Sequence, residues 1–295
     1  MTQTLRVLRL EHWPKNVFTL LGSIAAIEIC GQSCSWSQAK AVALGFLLSC
    51  LVSSVNYVMN EFLDAPRDAE HPTKKHRPIP SGAVNPHHLL FAASWFLIAA
   101  VAVAAWLYDW PVSLGLMVLF GSGILYNVKP ARFKEVPVLD VIVESLNNPI
   151  RLTIGWYATQ APCGFPSFLL LFLFWFYGAF LMSAKRLAEQ RFLGDRASIY
   201  RITYRVYTPR ALLALTMLYG LISFFLFLGA ARGEGSDVVF TAPLVAVQLG
   251  WVVKLSLERE SVMMDPERAY RKPWFFLYSF VVLGLIIYLV SYTGG

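Results

Sequence analysis

Residues 41–68 read AVALGFLLSCLVSSVNYVMNEFLDAPRD, an apolar run that ends in an asparagine and three acids. A membrane's hydrocarbon core of about 30 Å needs about 20 mostly apolar residues per helix, and this run is long enough to cross it. A basic stretch, AEHPTKKHRPIPSG, follows at residues 69–82. The segment therefore predicts a membrane helix with acidic and basic groups gathered at one end.

The composition of the chain is that of a membrane protein. Of its 295 residues, 57% are hydrophobic and 15% are charged, whereas a soluble domain carries about 25% charged residues. We expect an all-α, polytopic protein made of one integral membrane domain over residues 1–295. The net charge of +7 fits basic residues collected beside anionic lipid. The lipid bilayer, and no nucleic acid, is therefore the expected partner.

Nine segments of the chain are predicted to cross the membrane. They are residues 16–31, 38–60, 88–107, 111–127, 137–158, 165–187, 210–230, 238–257 and 273–293. With the N-terminus in the cytoplasm, nearly all of the 25 Lys and Arg residues fall on the cytoplasmic side, as the positive-inside rule requires. The sequence thus predicts a multi-pass protein of the bacterial cytoplasmic membrane with its N-terminus inside.

The acidic end of the second span carries a row of oxygen-bearing side chains. Asn56, Asn60, Asp64 and Asp68 stand four residues apart, and Glu61 is offset by one position. A helix that continues to Asp68 places the row on one face. Mg²⁺ prefers such oxygen ligands and often takes one or two carboxylates plus substrate phosphates. An ordinary solvated helix end is the alternative, but a polar face that reaches into the membrane favours a functional site.

Basic groups follow directly in the same loop. Lys74, Lys75, His76 and Arg77 are typical of a cytoplasmic loop when taken alone. Beside an acidic helix end they provide the second part of a diphosphate site, since a metal ion neutralises some phosphate oxygens and Lys or Arg binds others. YNVKPARFK, at residues 126–134, adds basic groups that we expect on the same membrane face.

The fifth span, LDVIVESLNNPIR at residues 139–151, is polar along one side. Its polar residues recur at helical spacing, at Asp140, Glu144, Asn147 or Asn148, and Arg151. Arg151 is expected to pair with an acid inside the bundle or to face a wet cavity. Pro149 is expected to weaken or kink the helix.

The sixth span ends in SAKRLAEQR, at residues 183–191. Lys185 and Glu189 are four residues apart, and Arg186 and Glu189 are three apart. A plain interfacial ion pair, stabilising by a few tenths of a kcal/mol, is one interpretation. A phosphate site is the other, because the basic, tyrosine-rich loop YRITYRVYTPR follows at residues 200–210.

These features make up the candidate substrate-binding set. It comprises Lys15, Asn56, Lys74, Arg77, Tyr126, Lys134, Asp140, Glu144, Asn148, Arg151, Lys185, Arg186, Glu189 and Tyr207. Acids and bases at one mouth of a helical bundle suggest an enzyme that acts on a lipid-linked phosphate or diphosphate, with its active site open to the cytoplasm. A transporter is less favoured, because the polar groups gather at one face.

The chain resembles the UbiA superfamily of intramembrane prenyltransferases, which have nine helices and an N(D/E)xxDxxxD motif after the second. Here the motif residues are Asn60, Glu61, Asp64 and Asp68, and RPIPSG and YNVKPARFK are similar to other family segments. The resemblance implies that the motif binds Mg²⁺, which holds a diphosphate. It also implies that Asn60, Asp64 and Asp68 are catalytic.

A narrower resemblance, to the branch that moves phosphoribose, is carried by WPKNV (13–17), DAEHPTKKHRPIPSG (68–82) and AKRLAE (184–189). It implies transfer from 5-phosphoribosyl diphosphate to a polyprenyl phosphate, with release of diphosphate. The alternative is prenyl transfer from a prenyl diphosphate to an aromatic or other acceptor. Prenyltransferases carry a second acidic motif where this chain has AKRLAE, and either that segment or a displaced pair, Asp140 and Glu144, is expected to form the second site.

The four cysteines predict no metal site. Cys30, Cys34, Cys50 and Cys163 form no CxxC pair, and no histidine cluster accompanies them, so zinc is not expected. Cys30, Cys34 and Cys163 fall in or near loops placed outside the cytoplasm, where a disulfide is compatible with the environment.

Overall fold

The described part of the chain is helical. The structure is a computed structural model that describes residues 7–31, 34–69, 74–162, 164–234, 236–258, 261–264 and 271–293, and within these ranges it contains helices and no strand. The α-helices, numbered α1 to α11, are Val17–Ile29, Trp36–Asp68, Pro86–Leu107, Trp110–Asn127, Leu139–Ser145, Asn147–Ala158, Phe168–Leu193, Ala197–Tyr200, Pro209–Glu234, Ala242–Ser256 and Pro273–Thr293. The prediction of an all-α protein is confirmed.

Seven of the described helices are long and apolar enough to cross a membrane. They are α2, α3, α4, α7, α9 and α11, together with α10 extended by the 3-10 turns before it to Asp237–Ser256. The other two predicted spans are formed by shorter helices, α1 with 13 residues and the pair α5 and α6 with 7 and 12. A straight crossing needs about 20 residues, so helix length supports seven spans and the number nine stays a prediction.

The predicted fifth span is interrupted, and this corrects the expectation of one helix. α5 ends at Ser145 and α6 begins at Asn147, with the break at Leu146. Pro149 accounts for the position, because proline lacks an N–H and its ring excludes the carbonyl four residues before it, here that of Ser145. Asn147 Nδ2 donates to the Glu144 carbonyl oxygen at 3.0 Å, which satisfies one group that the break leaves free.

Helix α2 carries the acid row at one end and an aromatic residue at the other. Ser35 and Gln38 form a capping box that begins the helix, and the 33 residues continue without a break to Asp68. Exposed tryptophans, Trp36, Trp106 and Trp110, mark the start of α2, the end of α3 and the start of α4. Tryptophans of this kind sit at membrane–water interfaces, so they identify the membrane boundary opposite the acid row.

The chain forms two compact units. The first comprises Met1–Ile24, Cys34–Phe133 and Ile150–Ala161, and the second comprises Ala25–Ser33, Lys134–Pro149 and Pro162–Gly295. Part of the first unit's core lies between α2 and α3, where Val58, Leu89 and Ala93 are buried together with Ile79 of the intervening loop. In the second unit α7 packs along α9, and Phe180 of α7 is buried in a core cluster there.

Candidate functional site

In the first unit, the acid row lies on the last turns of α2. The helix extends to Asp68, so Asn60, Asp64 and Asp68 recur every four residues on one face, as predicted. Asn60 and Asp64 are partly buried, and Asp68 is buried. An apolar helix thereby presents one amide and two carboxylates at its polar end.

Each aspartate of the row is paired with an arginine from a loop. Arg132 Nη2 lies 2.9 Å from Asp64 Oδ1, and Arg77 Nη1 lies 2.5 Å from Asp68 Oδ2. Arg132 follows α4 in a left-handed backbone conformation (φ 35°) and also donates to the Asn127 carbonyl oxygen at 3.2 Å. Two guanidinium groups therefore meet the two acids, and guanidinium is the side-chain group best suited to bind phosphate oxygens.

Glu61, which the sequence predicts to be a metal ligand, contacts an arginine and a backbone amide. Its side chain is 1% exposed. Oε2 accepts from Arg9 Nη2 at 3.2 Å, and Oε1 accepts from the Ile79 backbone N–H at 3.1 Å. Glu61 thus joins the N-terminal segment and the loop after α2, and its contacts are separate from those of Asp64 and Asp68.

Asn56, one turn before the row, packs between helices. Its Nδ2 donates to the Leu119 carbonyl oxygen at 2.9 Å. A Cβ added to Gly123 would lie 2.2 Å from Asn56 Oδ1, so the amide rests directly on the glycine backbone. The predicted substrate contact of Asn56 stays a prediction, while its described contacts connect α2 to α4.

The WPKN segment is fastened to α2 by polar contacts. Arg151 of α6 donates from Nε to Asn16 Oδ1 at 2.7 Å and from Nη2 to Ser53 Oγ at 3.2 Å. Trp13 Nε1 donates to Ser54 Oγ at 3.1 Å. These contacts bury Arg151, which is 8% exposed, and they hold the residues that flank Lys15.

In the second unit, Arg186 of α7 joins three carboxylates. Its Nη2 lies 2.7 Å from Glu144 Oε2, its Nε lies 3.3 Å from Asp140 Oδ2, and its Nη1 lies 3.3 Å from Glu189 Oε2. The side chain of Arg186 is 3% exposed. The buried guanidinium is thus paired by the protein itself, and it balances one of the three negative charges around it.

Asp140 is the most enclosed member of this cluster. It is fully buried and also accepts from Arg201 Nη1 at 3.1 Å and from Tyr207 Oη at 2.7 Å. Tyr207 Oη in turn accepts from the Val138 backbone N–H at 2.5 Å. Burial and the charge of Asp140 raise the pKa of Tyr207, so the phenol stays protonated and keeps donating to Asp140.

Glu189 completes the cluster. Tyr204 Oη donates to Glu189 Oε2 at 2.6 Å, and Lys185 Nζ lies 3.8 Å from Glu189 Oε1. Burial, together with the charge of Glu189, raises the pKa of Tyr204, which keeps this donor protonated as well. Asp140 and Glu189 are thus engaged by groups of the loop at residues 200–207, and Glu144 is engaged by Arg186.

The remaining predicted residues divide between the two units. Lys15 and Tyr126 are partly buried in the first unit, while Lys134 is buried in the second. Asn148, also in the second, packs its amide against the backbone of Gly178, where an added Cβ would lie 2.0 Å from Nδ2. The side chain of Lys74 lies outside the described residues.

Sequence reasoning missed several residues that the structure brings to the acids. Arg9 was absent from the candidate set, and Arg132, Arg201 and Tyr204 were quoted in basic segments but assigned no acid. The available signal was the density of arginine and tyrosine in those segments. Their partners are 52 or more residues away in the chain for Arg9, Arg132 and Arg201, so spacing along one helix does not reveal them.

The donor set of the acid row fits Mg²⁺ better than a transition metal. Among the described residues, no group of three or more His, Cys, Asp or Glu side chains is placed to hold a metal ion. Asn60, Asp64 and Asp68 offer one amide and two carboxylates. Mg²⁺ is commonly bound through one or two carboxylates and completed by substrate phosphates.

Comparison with known proteins identifies the family. The sequence model of the UbiA prenyltransferase family matches residues 17–280. The chain belongs to the UbiA prenyltransferase family. The resemblance noted from the motifs is confirmed. Its family members and named relatives are transferases, so this UbiA-family protein is a transferase and an integral, multi-pass membrane protein.

Curated relatives carry two kinds of name. The decaprenyl-phosphate phosphoribosyltransferase of Mycobacterium tuberculosis is 27% identical over 230 residues, which cover 74% of this chain and 73% of the relative. The enzyme of the same name from Corynebacterium glutamicum is 29% identical over 211 residues, 70% of this chain and 60% of the relative. The protoheme IX farnesyltransferase of Xanthomonas oryzae is 29% identical over 144 residues, 48% and 46% of the two chains.

Solved structures share the fold. A UbiA homolog from Archaeoglobus fulgidus bound to GPP and Mg²⁺ has a TM-score of 0.69 at 19% identity, covering 96% of this chain and 99% of that one. The same homolog bound to DMAPP and Mg²⁺ has a TM-score of 0.68 at 18% identity, covering 99% and 97%. At these identities the likeness shows that the chain has the UbiA fold.

Proposed function

We propose that this protein is a Mg²⁺-dependent transferase that moves phosphoribose from 5-phosphoribosyl diphosphate to a polyprenyl phosphate and releases diphosphate. The observation that carries the proposal is the state of the acids in the second unit. Asp140, Glu144 and Glu189 are all paired with Arg186. Lys185 also contacts Glu189, and Arg201 contacts Asp140. Three cations therefore stand where a prenyltransferase carries a second acidic motif for a second metal ion, and cations suit a lipid phosphate.

The names of the relatives support the same substrate. The phosphoribosyltransferase relatives cover about three quarters of the chain, whereas the farnesyltransferase relative covers 48% of it. The AKRLAE segment, which contains Lys185, Arg186 and Glu189, lies in α7 at the place where the sequence departs from the prenyltransferase pattern.

The reaction is a displacement at C1 of the ribose. An oxygen of the polyprenyl phosphate forms a bond to C1, the bond from C1 to the diphosphate oxygen breaks, and the electron pair leaves with the diphosphate. Negative charge develops on the leaving group, so cations fixed beside it stabilise the transition state. We assign this role to Arg77 and Arg132, which lie beside Asp68 and Asp64.

Asn60, Asp64 and Asp68 would hold Mg²⁺. When bound, Mg²⁺ supplies positive charge to the diphosphate oxygens. The protein's own contribution is to present two carboxylates at the end of an apolar helix, with an arginine next to each. Lys185, at the edge of the Arg186 cluster, is our candidate for the lipid phosphate.

We place the acid row on the cytoplasmic side of a bacterial cytoplasmic membrane. The loops that follow α2 and α4 are basic, as cytoplasmic loops are. Cys30, near the end of α1, is disulfide-bonded, and disulfides persist in oxidising compartments outside the cytoplasm. A water-soluble sugar diphosphate reaches an active site that opens to the cytoplasm.

Prenyl transfer to an aromatic or other acceptor is the second candidate. It is favoured by the farnesyltransferase relative and by fold neighbours solved with GPP or DMAPP and Mg²⁺. In that reaction the same acid row would serve the diphosphate of a prenyl donor.

A donor–acceptor assay on the purified protein separates the candidates. Radiolabelled 5-phosphoribosyl diphosphate is incubated with polyprenyl phosphate and Mg²⁺, and radiolabelled prenyl diphosphate is incubated with aromatic acceptors. We expect label from the phosphoribosyl donor to enter the lipid phase. The Asp64→Asn protein, which loses one ligand carboxylate, is expected to be slower by a factor of about 100 or more.

Two results of this assay would overturn the proposal. If only the prenyl donor yields product above the Asp64→Asn background, the second candidate replaces the first. If no donor does so, the transferase site has been assigned to the wrong residues.

A further inference from the structure

The loop after α2 is fixed to the helix at two points. Arg77 pairs with Asp68, and the Ile79 backbone N–H donates to Glu61. The loop is closed by a tight turn in which Ser81 N–H donates to the Arg77 carbonyl oxygen at 3.0 Å. Glu61 and Asp68 are seven residues apart, which is about two helical turns. The loop therefore contacts α2 near each end of the acid row, at Glu61 and at Asp68.

The Ile79 anchor is buried as well as hydrogen-bonded. Ile79 is 7% exposed and packs in the core cluster with Val55 and Val58 of α2 and Leu89 of α3. Because Arg77 lies two residues earlier in the same turn, the position of Ile79 limits where the Arg77 guanidinium can go. A loop released from Glu61 would lose that restraint.

Arg9 gives Glu61 a second function. Arg9 lies beside Glu61, its guanidinium carbon lies 5.6 Å from the Tyr57 ring centroid, and its backbone is left-handed (φ 47°). Burial and the charge of nearby Arg77 lower the pKa of Arg9, whereas Glu61 raises it. Removing one partner of a buried ion pair is strongly destabilising, so Glu61 is needed to offset the charge of Arg9 beside Arg77.

We propose that Glu61, although part of the acidic motif, is a positioning residue and not a metal ligand. It holds the loop at residues 77–82 and the Arg9 segment against α2, so that Arg77 stands at Asp68 for the diphosphate. This inference rests on the proposed function in naming the diphosphate as the anion that Arg77 serves. The chemical basis is that both carboxylate oxygens of Glu61 are used by Arg9 and Ile79.

The test combines Glu61→Gln with Arg9→Met. Glutamine keeps an oxygen for the Ile79 amide but turns an uncharged group towards the Arg9 cation. We expect Glu61→Gln to raise the KM for the diphosphate donor about 10-fold, and to speed tryptic cleavage after Lys75 in the neighbouring loop. The Mg²⁺ concentration for half-maximal rate should stay within about 2-fold of the original, in contrast to Asp64→Asn.

The double variant R9M/E61Q decides between positioning and ligation. Arg9→Met removes the cation that Glu61→Gln leaves unpaired. The double variant should therefore have a KM and a cleavage rate close to those of the unaltered protein. A lost metal ligand would not be restored by a change at Arg9. The proposal is overturned if the double variant is no better than Glu61→Gln in either measurement, or if Glu61→Gln shifts the Mg²⁺ requirement as far as Asp64→Asn does.

The cleavage measurement needs no turnover, so the two proposals fail separately. If no donor gives product, the proposed function fails while the cleavage rates of the two variants still decide the role of Glu61. If Glu61→Gln does not fold, the double variant remains a test, because uncharged partners at both positions remove the buried imbalance. A folded double variant with fast cleavage would also contradict the inference.

Discussion

At the residue scale, buried or partly buried acids are paired with arginines. Arg132 is paired with Asp64, and Arg186 is paired with three acids in the second unit. Ionised groups are costly in apolar surroundings unless they are paired and hydrogen-bonded. Each arginine therefore stabilises the unit that contains it by pairing with acids. Arg132 is in addition a candidate for binding the substrate anion.

Arg132→Met is expected to weaken binding of the diphosphate donor. The change leaves Asp64 without this cation and removes a donor from the site proposed for the leaving group. The KM should rise about 10- to 100-fold, as measured with labelled 5-phosphoribosyl diphosphate. Arg132→Lys is the matched control, and it should recover part of the loss because it restores the charge without the guanidinium geometry. An unchanged KM in Arg132→Met would remove Arg132 from the proposed site.

Arg186→Met is expected to destabilise the protein more than Lys185→Met does. Arg186 is buried with three carboxylates, and breaking a buried ion pair on one side costs about 3–5 kcal/mol. Lys185 is more exposed and stands 3.8 Å from Glu189, where an ion pair stabilises by about 1 kcal/mol or less. Thermal unfolding in detergent measures both. Equal losses of stability would contradict the central place given to Arg186.

At the element scale, helices of the first unit approach one another at glycines. Gly155 of α6 lies against the Thr19 carbonyl oxygen, which a Cβ would approach to 1.7 Å, and Gly22 of α1 lies against the backbone of Leu152. Ser23 Oγ also donates to the Gly155 carbonyl oxygen at 2.8 Å. Small residues let helix backbones come close in a membrane, where packing rather than water drives association.

Gly123→Ala tests this packing at the helix that supports the acid row. The added methyl group would lie 2.2 Å from Asn56 Oδ1, so α2 and α4 must separate or Asn56 must move. We expect a loss of about 1–3 kcal/mol in stability, measured by unfolding in detergent. Gly121→Ala on the same helix is the matched control, since nothing lies within 4 Å of its added Cβ. It should be neutral or stabilising, because alanine favours helix by about 1 kcal/mol over glycine.

A second substitution tests whether contact with Asn56 causes the loss of stability. Asn56→Ala in the Gly123→Ala protein removes the clashing amide and should return part of the lost stability. If the double variant is as unstable as the sum of the two single variants, contact between these two residues is not the cause.

At the scale of the whole molecule, membrane orientation determines which compartment supplies the substrate. The seven described helices that are long enough to cross a membrane and the basic loops favour a cytoplasmic acid row. The segment between α1 and α2 then lies on the outer side. Cys34, an exposed free thiol in that segment, is a natural reporter of this arrangement.

A membrane-impermeant maleimide should label Cys34 in intact cells. The expected label is the same before and after permeabilisation, because an outer thiol is reached from the medium in both cases. Cys34→Ser is the control that assigns the signal to this residue. Label that enters only after permeabilisation would place the α1–α2 connection inside and reverse the proposed orientation.

Local patterns in the sequence are sufficient to predict the helical class, the family and the acid row. Hydropathy and the four-residue spacing of Asn60, Asp64 and Asp68 are local properties, and a helix converts such spacing directly into a face. The break near Pro149 was also anticipated as a kink, because proline acts on its own helix. The three short helices at the predicted first and fifth spans were not, because hydropathy reports apolar length and does not locate helix ends.

Which charged side chains pair with one another depends on the packing of distant segments. Arg132 and Asp64 are 68 residues apart, Arg9 and Glu61 are 52 apart, and Arg186 and Asp140 are 46 apart. Such pairs form when packed helices bring distant side chains together, and periodicity within one helix carries no information about them. For this reason Glu61 looked in the sequence like one more ligand of the acidic motif, whereas its contacts in the fold are Arg9 and the Ile79 backbone amide.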